Sequence, residues 1–327
     1  MTHVTPDSIF QVASGFMASK HLYVANEVGL FEQLADGPIT LDELSQRTGV
    51  PRRTIRILAD AMVALGFVDR QADRYQNGPV ADTFLSGRTP ADLRPFLRFW
   101  NRISYPSWTQ LEESIRTSQP GVGHLSAELV KIFSEGVEAV SAGTAVALAT
   151  TYDFSRHQRV LDLGGGTGSF LLAVLRNYPD LETALFEQPD VVAVARQHLS
   201  ATPAGEQVSV IEGDFFQDPI PAGYDVVMVV NVVHLFSPEH NLALLHRIRE
   251  RVSTGARLLL VDFWTDPTHT QPTFAALVAG EFHMFTGEGD VYSEVEVTGW
   301  LQQTGWKALE RKQLAGPSSL IVAEAVR

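Results

Sequence analysis

Apolar positions recur along this chain in two periods, and the change from one to the other divides it. Between residues 8 and 35 they fall at helical spacing: Ile9, Val12 and Phe16, then Leu22, Val24, Ala25, Val28, Leu30, Phe31 and Leu34. Gly37-Pro38 breaks the stripe. Thr40-Leu41-Asp42-Glu43 has the capping-box spacing and predicts a short helix ending near Gly49. Pro51 suits the start of a second helix over 54–65, closed by Gly66. Phe67-Val68-Asp69 and Tyr75-Gln76 then predict two short strands around a polar turn. Helix, turn, helix, hairpin is a winged-helix order. Residues 91–150 return to helical spacing with large side chains, among them Phe96, Phe99, Trp100, Tyr105, Trp108 and Phe133, around a loop at 119–123.

Beyond Arg159 strands and helices alternate. Strands are expected at 159–163, 182–187, 207–212, 224–230 and 256–262, with helices at 169–177, 189–199 and 239–252. That alternation implies an α/β fold with a parallel, doubly wound sheet. Ser293-Glu294-Val295-Glu296 is a second capping box, opening a helix to Gly305. Two last strands near 306–311 and 319–325 are joined by a Gly316-Pro317 turn, too short for a parallel crossover, so they should form an antiparallel hairpin. Three regions are expected: a winged-helix-like region over 1–105, a helical linker over 106–155 contributing to a substrate pocket, and a ligand-binding α/β domain over 156–327.

Composition narrows the functional classes. The 327 residues are 45% hydrophobic, enough for two domains with a sizeable core. There is no cysteine, which removes disulfides and thiolate metal sites and fits a cytoplasmic protein. The opening MTHVTPDSIF has no basic region before an apolar core, so no signal peptide is expected, and no apolar run approaches the length of a membrane span. The net charge of −13 argues against nucleic-acid and acidic-membrane partners. Arg52, Arg53 and Arg56 would be the phosphate contacts of a DNA-binding winged helix; the alternative is a solvated face on a dimerisation module, which the acidity favours.

The chemistry-bearing residues fall at successive strand ends. Asp162-Leu163-Gly164-Gly165-Gly166-Thr167-Gly168-Ser169 joins the first strand of the alternating region to a helix. Its G-x-G-x-G spacing lets backbone approach a ligand at the carboxyl end of a strand. Asp162 either supports this loop or meets the charged amino group of an amino-acid-like cofactor. Glu187 ends the second strand, where an acid accepts hydrogen bonds from ribose hydroxyls. The loop and this acid alone would serve either NAD or S-adenosylmethionine. Gly213-Asp214-Phe215-Phe216 ends the third strand: an Asp before a large apolar residue suits an adenine amino group and ring, while the plainer reading of Asp214 is a turn residue. Asn231 and His234 end the fourth strand. A His at this edge is a candidate general base, whereas an isolated His is more often structural. Asp262 ends the fifth strand and would hold the other ring nitrogen of His234, or else cap a turn. His283 lies on a helical stretch with Phe282 and Met284, its role open. Trp100, Trp108, Phe133, Phe282, His283 and Met284 are candidate walls of an apolar pocket; aromatics at helical spacing are as often core. No set of His and acid residues has metal-ligand spacing.

Together these motifs resemble the S-adenosylmethionine-dependent small-molecule O-methyltransferases of the caffeate and hydroxyneurotransmitter type, in a bacterial-looking form. Asn26-Glu27-Val28-Gly29-Leu30-Phe31, Gly37-Pro38-Ile39-Thr40, Leu65-Gly66-Phe67-Val68, Tyr75-Gln76-Asn77, Ala81-Asp82 and Phe84-Leu85 match that family's dimerisation domain. Asp162 to Gly168 matches its cofactor loop, Gly213 to Phe216 its adenine-side motif, His234 its base and Asp262 its supporting acid. The resemblance implies a class I methyltransferase Rossmann-like seven-stranded sheet behind an N-terminal, mostly helical, winged-helix dimerisation domain. It implies cofactor contacts at Asp162, Gly164, Gly166, Gly168, Glu187, Gly213, Asp214, Phe215 and Asn231, with S-adenosylhomocysteine as product. It also implies an intertwined homodimer, in which the N-terminal helices of one subunit help close the other's pocket, and a small hydroxylated, aromatic or polyketide-like substrate. The same scaffold also hosts N- or C-methylation and non-methylating chemistry such as decarboxylation, hydroxylation and pericyclic steps. A DNA-binding regulator is the remote alternative. Two positions depart from the family: Leu235-Phe236 stands where Asp-Trp usually follows the base, and Val291 falls where plant members carry a second acid.

Overall fold

The computed structural model describes residues 4–327; the first three, part of the stretch read above as lacking a signal peptide, lie outside the described residues. The chain forms two compact units. One holds the N-terminal residues through Pro106 together with Ser126–Val140, the other Ser107–Leu125 with Ser141–Arg327. The stretch 106–155 is thus divided between them, and one boundary falls inside the helix Ala127–Thr151.

In the first unit the helix Asp7–Glu27 is followed by β1 (Ile39–Thr40), the helices Leu41–Thr48 and Arg52–Ala64, and the hairpin β2 (Val68–Gln71) and β3 (Arg74–Asn77). The sheet order is β1-β3-β2. The capping box forms: Thr40 Oγ1 accepts from the Glu43 amide while the Glu43 carboxylate accepts from the Thr40 amide at 2.8 Å. Phe31, Leu44, Ile55, Met62 and Tyr75 fill the core at 1% exposure or less. The Tyr75 hydroxyl donates to Asp60, which also pairs with Arg56 and Arg70. Burial and that carboxylate push the phenol up to about 12. Ile9, Phe10, Val12, Phe16 and Met17 on the first helix are each more than half exposed. The helical pattern near residue 100 carries an irregularity that periodicity did not foretell, a π-helical turn over Trp100–Ser104.

One expectation is corrected. By length and composition the helix Ala127–Thr151 is apolar enough to cross a membrane, where no such segment was anticipated. Its Ala, Val, Leu, Ile and Phe residues raise the mean hydropathy although charged residues punctuate its first half. Ala145, Leu148 and Ala149 nevertheless pack into the core of the second unit.

That core is a seven-stranded sheet in the order β6-β5-β4-β7-β8-β10-β9. Its members are β4 (Arg159–Leu163), β5 (Glu182–Glu187), β6 (Val208–Glu212), β7 (Val226–Val230), β8 (Arg257–Phe263), β9 (Trp306–Gln313) and β10 (Ser318–Ala325). The first five pair in parallel and the C-terminal hairpin is antiparallel. Alternate residues feed opposite faces: Val227, Val229, Leu258 and Leu260 join one cluster, Val226, Met228, Leu259 and Val261 the other. Both faces are covered, so β7 reads as an unbroken apolar run. The chain steps outward from β4 to β6, then returns to β7 on the other side, which sets a switch point between β4 and β7.

Leu260→Ala, at a fully buried position, is expected to cost about 2–5 kcal/mol in urea unfolding. Ser293→Ala, which removes the observed capping box of the helix Glu294–Gln303, should cost only about 1 kcal/mol.

Candidate active site

The carboxyl ends of β4, β5, β7 and β8 converge at the switch point. After β4 the chain makes a left-handed turn at Gly164 (φ 72°), Gly166 (φ 59°) and Gly168 (φ 85°) before the helix Ser169–Asn177. The turn is anchored by backbone, with the Gly164 amide donating to Phe186 O at 2.8 Å. Gly165 is required by proximity: a Cβ there would lie 2.2 Å from a carboxylate oxygen of Asp162. Glu187, mostly buried at the end of β5, accepts from the Gly166 amide at 2.8 Å and the Gln188 amide at 2.7 Å. Burial outweighs those bonds and pushes its carboxyl up.

Asp162 is the unusual member. It is fully buried, and neither carboxylate oxygen has a hydrogen-bond partner. Desolvation, helped by the charge of Glu187, pushes it up to about 8. Asn231, one residue past β7, adopts φ 54°, and its buried Oδ1 is likewise unpartnered. Buried polar groups are normally paired. Three orphaned acceptor oxygens beside a glycine turn therefore suit a ligand that brings cationic or N–H donors.

Just past β6, Gly213 donates its amide to Glu187 O at 3.0 Å, and a Cβ at Gly213 would strike the Phe186 ring. Asp214 serves its own turn: Oδ1 accepts from the Phe216 amide at 2.8 Å. Phe215 is buried beside Phe216 and Phe236, its ring edge toward Gly164.

His234 lies in the short 3₁₀ turn Val233–Leu235, almost fully buried. Its Nδ1 meets Asp262 Oδ1 at 2.6 Å. Asp262 is held in turn by the amides of Phe263, 2.8 Å from Oδ1, and of His234, 3.3 Å from Oδ2. A carboxylate fixed by backbone and placed at Nδ1 keeps the proton on that nitrogen and leaves Nε2 as the acceptor.

The proposed pocket residues separate. Trp100 packs on Phe96 at 4.4 Å and Phe133 on Phe99 at 5.2 Å, both in the first unit. In the second, Trp108 Nε1 donates to the buried Glu281 at 2.5 Å, and the His283 ring contacts Ser114 O at 3.3 Å. Met284 is fully buried under Gly121, and its carbonyl accepts from the Gly121 and Val122 amides. Phe282 lies flat on the imidazole of His234, ring centroids 3.6 Å apart at 18°. Sequence reasoning missed that stack, because nothing in the spacing links residue 282 to residue 234. A polar cleft of about 650 Å³, lined by Tyr152, His157, Asp225, Arg257 and Lys312 among others, sits at the opposite, amino ends of the strands, away from this chemistry. Among the described residues no group of three or more His, Cys, Asp and Glu is placed to hold a metal ion.

Comparison with known proteins agrees with this geometry. An O-methyltransferase domain profile matches residues 118–307, and an O-methyltransferase dimerisation domain profile matches residues 10–87. The chain is 30% identical to the tetracenomycin polyketide synthesis 8-O-methyl transferase TcmO of Streptomyces glaucescens, across 100% of this chain and 99% of that protein. It is 29% identical to 3-hydroxy-5-methyl-1-naphthoate 3-O-methyltransferase of Streptomyces sahachiroi, across 98% and 95%. Among solved structures, PigF with S-adenosylhomocysteine superposes with a TM-score of 0.87 at 27% identity, covering 98% of this chain and 100% of that one. The orphaned acceptors of Asp162 and Asn231 fit the amino-acid end of such a cofactor. The chain belongs to the O-methyltransferase family that joins this domain to a dimerisation domain, and it is an S-adenosylmethionine-dependent methyltransferase.

Proposed function

We propose that this enzyme methylates a hydroxyl of a small aromatic or polyketide-like natural product, with His234 as general base and Asp262 as its orienting partner. The observation that carries the reading is the 2.6 Å contact between His234 Nδ1 and a carboxylate itself fixed by backbone amides. The polyketide and naphthoate O-methyltransferases named above support the substrate class.

When bound, S-adenosylmethionine supplies a sulfonium methyl that is open to in-line attack. Asp162 and Asn231 would accept from its amino-acid portion. Glu187 would turn from the Gly166 amide toward ribose hydroxyls, and Gly213, Asp214 and Phe215 would flank the adenine. Gly164, Gly166 and Gly168 keep side chains out of the way. Nε2 of His234 removes the acceptor's proton, which raises the nucleophilicity of that oxygen, and positioning supplies much of the remaining acceleration.

A homodimer through the N-terminal region, 1–105, completes the reading. The exposed apolar run of Ile9, Phe10, Val12, Phe16 and Met17 supports it, since contiguous exposed apolar surface marks association sites. DNA binding is disfavoured by the net charge of −13 and by Arg52 and Arg56 being paired with Asp42 and Asp60.

A screen with methyl-labelled cofactor over hydroxynaphthoates, phenolic quinones and hydroxyphenazines should return an O-methyl product by mass spectrometry. A product methylated only on nitrogen or carbon would overturn the assignment. His234→Ala should lower kcat about 10²–10⁴-fold while calorimetry gives unchanged S-adenosylhomocysteine affinity. Undiminished turnover would remove the base.

Asp162 sets stability against binding. Its folded value of about 8 lies above the ordinary 3.8, so between those limits the folded chain holds a proton that the unfolded chain releases. Stability from this group therefore falls as pH rises across that window and levels off above it. Asp162→Asn should raise the thermal midpoint of the cofactor-free protein at pH 8, with the gain vanishing towards pH 4, and should weaken S-adenosylhomocysteine binding at least about tenfold. A midpoint that is unchanged at both pH values would contradict the buried, unpartnered carboxyl.

A further inference from the structure

We propose that Phe282 is a positioning residue for the catalytic imidazole: its ring fixes the plane of His234 and so the aim of Nε2. The inference rests on the reading of His234 as base.

Asp262 restrains the imidazole at one edge only, through the 2.6 Å contact with Nδ1. A single hydrogen bond leaves the ring free to rock about that bond. Because the Nε2 lone pair lies in the ring plane, rocking turns it away from the proton it must accept. No second carboxylate comes from residue 291, a valine only 1% exposed.

The missing restraint is supplied from above. The Phe282 ring covers the imidazole face at 3.6 Å and 18°, too close to admit water or a substrate atom between them. Phe263, next in sequence to Asp262, lies 5.9 Å from Phe282 at 22° and 6.0 Å from His234 at 38°, so it backs both rings. Phe274 packs edge-on against Phe263 at 5.9 Å. The backbone locks the same contact. Gly289 passes so near that a Cβ would lie 2.7 Å from the carbonyl oxygens of both His234 and Phe282, and the Asp290 amide donates to His234 O at 3.1 Å. The end of the helix Thr273–Thr286 and the turn bearing His234 are thereby held together. A phenyl ring suits the task chemically. It offers no hydrogen bond that competes for Nε2, and its negative face attracts the imidazolium formed on proton transfer.

The test uses the full-length enzyme with S-adenosylhomocysteine bound. Proton NMR of the wild type should give a downfield Nδ1–H resonance that disappears in His234→Gln. In Phe282→Leu this resonance should broaden or vanish, with S-adenosylhomocysteine affinity within about twofold of wild type as evidence of folding. Phe282→Tyr should restore it. With a hydroxynaphthoate as acceptor, Phe282→Leu should lower kcat about tenfold and leave KM within about threefold. A sharp, unchanged resonance in Phe282→Leu, or no such resonance in the wild type, would overturn the proposal. So would a rise confined to KM, which would make the ring a substrate wall. Loss of the resonance in Phe282→Leu, together with undiminished turnover in His234→Ala, would leave the positioning intact and sink the base instead.

Discussion

The register of four parallel strands decides where everything else can be. Val230 stands opposite Val261, which places Asn231, one residue past β7, beside Asp262 near the end of β8. Asp162 stands opposite Met228 and Leu185, three residues below that level along the sheet. Side chains alternate across a strand, so a slip of one residue would exchange every apolar contact and send the carboxylates to the wrong face. The two aliphatic clusters on either side of the sheet penalise such a slip at each of their members. The polar constellation is thus held by hydrophobic packing more than by its own bonds.

Two aspartates near the carboxyl ends of β4 and β8 meet opposite fates. Asp262 is 1% exposed and satisfied, with two backbone amides and an imidazole around it. Asp162 is equally buried and has no hydrogen-bonded partner at all. The first is a finished support. The second is an incomplete one, kept close to Glu187 at a cost in stability that a bound cation would relieve. A buried carboxyl in that state suits a cationic ligand, and S-adenosylmethionine carries an ammonium group.

The acceptor side is built differently. Phe263, Phe274 and Phe282 gather around His234, while Trp108, Glu281 and Met284 tie the helix Thr273–Thr286 to the stretch 107–125. Ring stacking sets planes without consuming polar groups, which leaves Nε2 uncommitted. The helix therefore sets the plane of the His234 ring.

Most of the framework follows from the sequence alone. The strands at 159–163 and 182–187, the antiparallel tail and both capping boxes are local: each depends on period, turn residues or a three-residue spacing. The strand-end residues Asp162, Glu187, Asn231, His234 and Asp262 were legible for the same reason, because a doubly wound sheet delivers the ends of its parallel strands to one edge. Tertiary structure alone decided which atoms meet there. It turned Asp214 back onto its own turn, buried Met284 beneath Gly121, divided the stretch 106–155 between two units and laid Phe282 on an imidazole 48 positions earlier in the chain. Those contacts come from packing between elements distant in sequence, and periodicity carries no record of which faces will touch.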